Sequence, residues 1–284
     1  MTRVLLALLV FFGGLLLALQ RPSTGPFQAA AAPPAGTASE TASHTAERQE
    51  PAAAPVASAA QAAGPQPLPG CTFDDLPAPR SDYDDWETTV LDTVFALAAA
   101  YAPADLTGAA AAFPAGQAGG GDFQVRSLVI DDLRALLAAA AAAGHELAIQ
   151  SAYRSYDYQQ DTFQYWVERN GRQAALATSA RPGHSEHQLG TAIDLRSLHG
   201  PPAWELDDWA ATPEGGWVAA NAWRFGFVMS YPEGSSELTC YDYEPWHYRY
   251  VGREVAAEIV NSGVTPRELL WAKARAAASR ERSR

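Results

Sequence analysis

Two short stretches of the chain carry side chains able to do chemistry together. Ser185-Glu186-His187-Gln188-Leu189-Gly190-Thr191-Ala192-Ile193-Asp194 offers an imidazole and a carboxylate, and fifty residues on Glu244-Pro245-Trp246-His247 offers one of each again. Two imidazoles and one carboxylate are enough to hold a catalytic zinc ion, with its fourth position open to water and substrate, and they leave a second carboxylate free to move protons. His187 and Asp194 are seven apart, so on one straight strand they would face opposite ways. They can converge only if the chain bends between them, which Gly190 permits. Glu244 and His247 are three apart around a proline, close enough for one to bind a metal while the other faces the open position.

Other residues of the same types have plainer roles. His184 and His199 flank the first motif and are placed at its rim, His145 reads as structural, and His44 as solvated. Cys71 and Cys240 are the only cysteines; in an exported chain they read as a disulfide. That bridge would tie the domain's entry to the segment beside Glu244 and His247.

The elements that must position these groups lie between Cys71 and the C-terminus. Apolar spacing predicts helices over 86–101 and 125–143, the second closed by Gly144, with a Gly/Ala loop over 107–122 between them. A short strand is expected over 146–151 and a helix over 156–170, ended by Asn170-Gly171. Ala180-Arg181-Pro182-Gly183 is a turn delivering the chain to the first motif. Strands follow over 191–195, with Asp194 near the end, over 225–229, and over 243–251, where Pro245 favours a sheet edge or a bulge. Helices are expected over 217–223, 252–261 and 266–278.

The N-terminal part has a different composition. Val4 to Leu19 is an apolar run broken only by Gly13 and Gly14. Residues 1–21 therefore read as a signal peptide or short membrane anchor. Residues 22–70 are dominated by Ala, Pro, Ser, Thr, Gln and Gly and read as a disordered linker, leaving 71–284 as one folded domain. The formal charge of −12 argues against an electrostatic grip on nucleic acid. The expected location is extracytoplasmic, secreted or tethered to the outer face of the membrane, with the membrane touched only through the N-terminal segment.

Three blocks carry a resemblance. Ser151-Ala152-Tyr153-Arg154-Ser155-Tyr156-Asp157-Tyr158-Gln159, Ser185 to Leu195, and Glu244-Pro245-Trp246-His247-Tyr248-Arg249-Tyr250-Val251-Gly252 resemble, in order and spacing, the blocks of the VanY-type D-alanyl-D-alanine carboxypeptidases. These are zinc peptidases akin to the VanX dipeptidases and share a fold with the hedgehog domain. The resemblance runs over roughly 76–263. It implies an α+β fold with a small, mostly antiparallel sheet and flanking helices, and one zinc ion held by His187, Asp194 and His247. It makes Glu244 the catalytic base and Arg154 the group that stabilises the oxyanion. Glu186 is then a surface or second-layer group, not the base. Ser151, Gln159 and Ser185 match positions lining the substrate cleft, and Tyr153 and Trp246 are candidate walls of the pocket. Leu189-Gly190-Thr191 departs from the Thr-Gly-Leu or Thr-Gly-Thr of many relatives, a change that bears on pocket shape.

The activity implied is removal of the terminal D-alanine from peptidoglycan stem peptides by a monomeric enzyme. Related bonds remain open: an L,D-carboxypeptidase, a D-Ala-D-Ala dipeptidase or an L-Ala-D-Glu endopeptidase would share the motifs. So does a non-catalytic zinc module binding the cell wall, although such a module would need neither Glu244 nor Arg154.

Overall fold

The computed structural model describes residues 67–115 and 119–283. The expected signal or anchor over 1–21, and the linker as far as residue 66, lie outside the described residues. The strands are β1 (Leu76–Pro77), β2 (Phe95–Ala96), β3 (Leu106–Gly108), β4 (Gln124–Arg126), β5 (Leu147–Ser151), β6 (Ala192–Ser197), β7 (Phe227–Met229) and β8 (His247–Tyr250). The helices are α1 (Ile130–Ala142), α2 (Tyr156–Asn170), α3 (Arg172–Thr178), α4 (Pro213–Asn221), α5 (Ser236–Thr239), α6 (Arg253–Ser262) and α7 (Pro266–Arg282). Among the described residues no helix is long and apolar enough to cross a membrane.

A four-stranded antiparallel sheet in the order β5-β6-β8-β7 sits at the centre. Alternation along its strands separates two faces. One face carries Leu147, Ile149, Ile193, Leu195, Phe227, Tyr248 and Tyr250, which pack with Leu133, Leu136 and Leu137 of α1 and with Trp209 into the main core. The other face carries Asp194 and His247, which stand directly opposite each other across β6 and β8, with Ser151 opposite Asp194 on β5. The register between β5 and β6 shifts between Ile149 and Ser151. This bulge gives Gln150 no partner of its own, so Ile149 keeps facing the core while Ser151 faces the polar side.

The helix expected over 86–101 does not form. This stretch holds only β2, which pairs in parallel with β1. Asp92 is the reason: its Oδ1 accepts from the backbone N–H of Val94 (2.7 Å) and Phe95 (2.8 Å), offering the chain a turn in place of a helical ladder. Thr88, Thr89, Val90, Thr93 and Val94 are β-branched and add to the preference. Val90, Leu91, Val94, Phe95 and Leu97 are nevertheless all buried, in a second core with α6 and α7. Asp92 is itself held by a buried ion pair to Arg267, whose Nη1 donates to Leu238 O and whose Nη2 also donates to Pro69 O.

Smaller corrections follow the same logic. The start of the predicted 125–143 helix is strand β4, paired with β3 inside what reads as a loop, and α1 begins only at Ile130. Gly171 ends α2 as expected but also opens α3, which periodicity did not reveal. Asp194 lies in the middle of β6, not near its end, and β8 is an interior strand because it starts after Pro245. The helix near Trp217 starts earlier, at Pro213, capped by Thr212. The last helix runs on to Arg282 behind a capping box of Thr265 and Glu268.

Cys71 and Cys240 form a disulfide with Cα atoms 5.1 Å apart, joining the N-terminal arm to the end of α5. Because it closes a long loop, replacing both cysteines by serine should lower unfolding free energy by about 2–4 kcal/mol, read from denaturant curves of the oxidised protein and the variant.

Candidate functional site

His187 sits in a single 3-10 turn, Glu186–Leu189, whose first N–H groups need a cap. Ser185 supplies it, its Oγ accepting from His187 N at 3.3 Å. Gly190 ends the turn at φ +72°, and a Cβ there would come within 3.0 Å of Arg126 Cγ, so both the bend and the close packing call for glycine. The chain then enters β6, which brings Asp194 back beside His187. Adjacent β8 adds His247 by its register with Asp194.

The three groups converge. His187 Nε2 lies 3.3 Å, and His247 Nδ1 3.1 Å, from Asp194 Oδ1, and all three ligand atoms fall within 4.8 Å of one another. With metal–ligand bonds of about 2.0–2.2 Å, tetrahedral neighbours would sit roughly 3.3 Å apart, so the set fits a single ion. The protonation pattern agrees. His187 Nδ1 donates to Ala152 O at 2.6 Å, which turns the Nε2 lone pair towards Asp194 and His247, and that buried nitrogen has no hydrogen-bond partner. Burial and the nearby Arg154 push the His187 pKa down to about 4, keeping the ring neutral as a ligand must be. For His247 the opposing effect wins without a metal: although burial lowers its pKa, hydrogen bonds to Asp194 and Glu186 raise it to about 10.

Glu244 lies beside this cluster, its Oε2 3.9 Å from His247 Nδ1. Its backbone N–H donates to Tyr231 O, and its own carbonyl accepts from His247 N, so the turn before β8 is fixed at both ends. Burial pushes its carboxyl up to about 8, partly offset by His247. This is the poise of a proton carrier. Arg154 faces the cluster with Nη1 3.7 Å from Asp194 Oδ2. It is held from behind: Nε donates to Gln159 Oε1 at 2.8 Å, Nη1 donates to Ser151 Oγ at 2.6 Å, and Gln159 in turn donates to Ala180 O.

The residues expected to line the cleft therefore divide. Ser151 and Gln159 hold the Arg154 guanidinium, Ser185 caps the turn of His187, and Trp246 packs against the main core. Tyr153 stays partly exposed next to Arg154. His184, placed at the rim by sequence, is buried, with Nδ1 on Asp92 O and Nε2 on Asp75. His199 is exposed near Glu146, and His145 lies against Trp217. Glu186 is no surface group: its carboxylate is buried against His247, Ser230 and Arg249. The Tyr231 ring, which sequence reading did not single out, lies 4.9 Å from that of His247.

Residues 122–253 match the family profile of VanY, D-alanyl-D-alanine carboxypeptidase. The fold also superposes on the LdcB LD-carboxypeptidase with a TM-score of 0.57 and 31% identity, covering 70% of this chain and 97% of that one. This chain belongs to the VanY family. A VanY D,D-pentapeptidase from the VanB-type resistance cassette, solved with Zn(II), gives a TM-score of 0.54 at 28% identity over 65% of this chain and 99% of that one. Among curated relatives, YodJ of Bacillus subtilis is 40% identical over 145 residues, 51% of this chain and 52% of that protein. The D-alanyl-D-alanine carboxypeptidase of Enterococcus faecalis is 35% identical over 151 residues, 49% of this chain and 52% of that one. The VanY-family chain described here thus spans between 29% and 57% of the length of the curated relatives it matches.

Metal loading must displace the proton shared at His247 Nδ1, so affinity should weaken as pH falls, by up to about tenfold per unit. Chelator competition at several pH values measures this. In the same assay Glu244→Ala should keep the metal and His247→Ala should lose it.

Proposed function

We propose that this VanY-family chain is a zinc-dependent carboxypeptidase that removes the terminal D-alanine from peptidoglycan stem peptides, outside the cytoplasm. The observation that carries the reading is the pairing of a closed three-ligand cluster with two groups a purely structural metal site would not need, Glu244 with its raised pKa and the braced Arg154. The names of the relatives support the substrate class, and the apolar run near the N-terminus and the Cys71–Cys240 bridge support the location.

His187, Asp194 and His247 would hold the ion. Zinc would supply Lewis acidity, lowering the pKa of water and polarising a carbonyl. Glu244 takes the proton from the attacking water and returns it to the departing D-alanine amine, acting first as base and then as acid. Arg154 donates to the oxygen on which negative charge develops, and its bonds to Ser151 and Gln159 keep it aimed before substrate arrives.

A second reading is favoured by one observation, the superposition on the LdcB LD-carboxypeptidase at 31% identity. It keeps the chemistry and moves the scissile bond to that of a tetrapeptide. Mass spectrometry of the products from defined pentapeptide and tetrapeptide decides between them: D-alanine released from the pentapeptide is expected, release only from the tetrapeptide selects the second reading, and release from neither sinks both.

Arg154→Ala should lower kcat by about a hundred- to a thousandfold while zinc stays bound. The base must be ionised, so kcat/KM should rise with pH through the ionisation of Glu244. Burial raises that pKa to about 8, and a nearby dication would bring it down from there. The acidic limb of the pH profile reports it, and Glu244→Gln should abolish the activity that shows it.

A further inference from the structure

We propose that Glu186 is the positioning residue that fixes His247 as a metal ligand, and that Arg249 and Ser230 exist at their positions to hold Glu186. The inference rests on the reading of His187, Asp194 and His247 as a zinc site.

Glu186 Oε2 lies 3.0 Å from His247 Nε2, and Ser230 Oγ donates to the same oxygen at 2.6 Å. Arg249 Nη1 donates to the other oxygen, Oε1, at 2.8 Å. A carboxylate facing a guanidinium at that distance is ionised and can only accept. His247 Nε2 must therefore carry hydrogen, and the nitrogen left to give its lone pair to a metal is Nδ1, the one that faces Asp194. The Glu186 contact thus decides which ring nitrogen binds, and with Tyr231 against the ring it fixes the plane in which that nitrogen points.

The arrangement is costly for stability alone. Arg249 is 0% exposed and Glu186 6% exposed, and burying such a pair costs about as much desolvation as its attraction returns. Arg249 pairs with Glu186 and donates besides to Trp86 O at 2.7 Å. Its place follows from strand geometry. Two residues beyond His247 on β8, it projects from the same face, opposite the small Ala192 of β6. Glu186 immediately precedes the ligand His187. One carboxylate therefore reaches from the first motif across to the second, joining two histidines that come from distant parts of the chain.

The test uses the full-length protein and three variants, Glu186→Gln, the double Glu186→Gln/Arg249→Met, and His199→Ala as an exposed control. Glutamine presents one acceptor and one donor where the carboxylate presents two acceptors, so it cannot satisfy both His247 and Arg249. The double variant removes the guanidinium that would otherwise be buried without its partner, so that loss of fold does not stand in for loss of aim. Measured by chelator competition, Zn2+ affinity should fall about 10- to 100-fold in both Glu186 variants and stay unchanged in His199→Ala. The ligand-field spectrum of the Co2+-loaded double variant should shift, while the thermal midpoint of its metal-free form stays near wild type. Wild-type zinc affinity together with an unshifted cobalt spectrum in the folded double variant would overturn the proposal. Because no substrate enters these measurements, a wild-type protein that binds zinc yet releases no D-alanine defeats the functional reading and leaves this one standing.

Discussion

The antiparallel register between β6 and β8 is the constraint on which the site depends. It sets Asp194 directly across from His247, so two of the three residues able to hold a metal owe their proximity to backbone hydrogen bonds and not to flexible loops. A slip of one residue in either strand would send its Asp194 or His247 to the core face and bring a core residue such as Ile193 or Tyr248 into its place. Burial of those apolar neighbours against α1 is what forbids the slip. The stability of the core and the geometry of the site are thus two sides of one sheet. The bulge at Gln150 extends the row to a third strand, which places Ser151 where it can brace Arg154.

Electrostatics on the polar face are balanced in layers. Asp194, Glu244 and Glu186 bring three carboxylates together, answered by Arg154 and Arg249. The arginines stand on opposite sides of His247: Arg249 neutralises the acid behind the ring, while Arg154 stays near the ligands, where a substrate oxygen can reach it. The different surroundings separate the two glutamates chemically. Glu186, beside a guanidinium, is held down to about 2 and stays an acceptor, whereas Glu244, buried with weaker compensation, is poised to exchange a proton.

Much of this was legible in the residues and some was not, for physical reasons. The convergence of His187, Asp194 and His247, the bend at Gly190 and the strands flanking it could be read because a metal needs particular atoms and a left-handed turn needs a particular residue. Helix α2 was readable with its end at Asn170-Gly171, since glycine there carries its own chemistry, while the Ser155 cap emerged only in the structure. The stretch 86–101 misled because apolar spacing reports burial, which is correct there, while the local conformation was decided by the side chain of Asp92 and by a partner, Arg267, nearly two hundred residues away. Glu186 stayed open between a surface group and one behind the site for a similar reason, and the structure puts it behind His247. Nothing in the string Ser-Glu-His distinguishes a solvated acid from one meeting an arginine across the sheet. Only the alternation that puts Arg249 on the face of His247 could have hinted at it.

The Cys71–Cys240 bridge, with its sequence separation of 169, makes a closed covalent ring of most of the domain. His187, Asp194 and Arg154 lie inside that ring, and Glu244 and His247 on the tail that leaves it. A protease that cuts the ring once cannot detach the two parts from each other: the fragments stay tethered at the same cystine, with the tail still covalently joined to both. A single nick in the ring therefore leaves β6 and β8 covalently joined, and two pieces separate only after a second cut in the ring or after reduction.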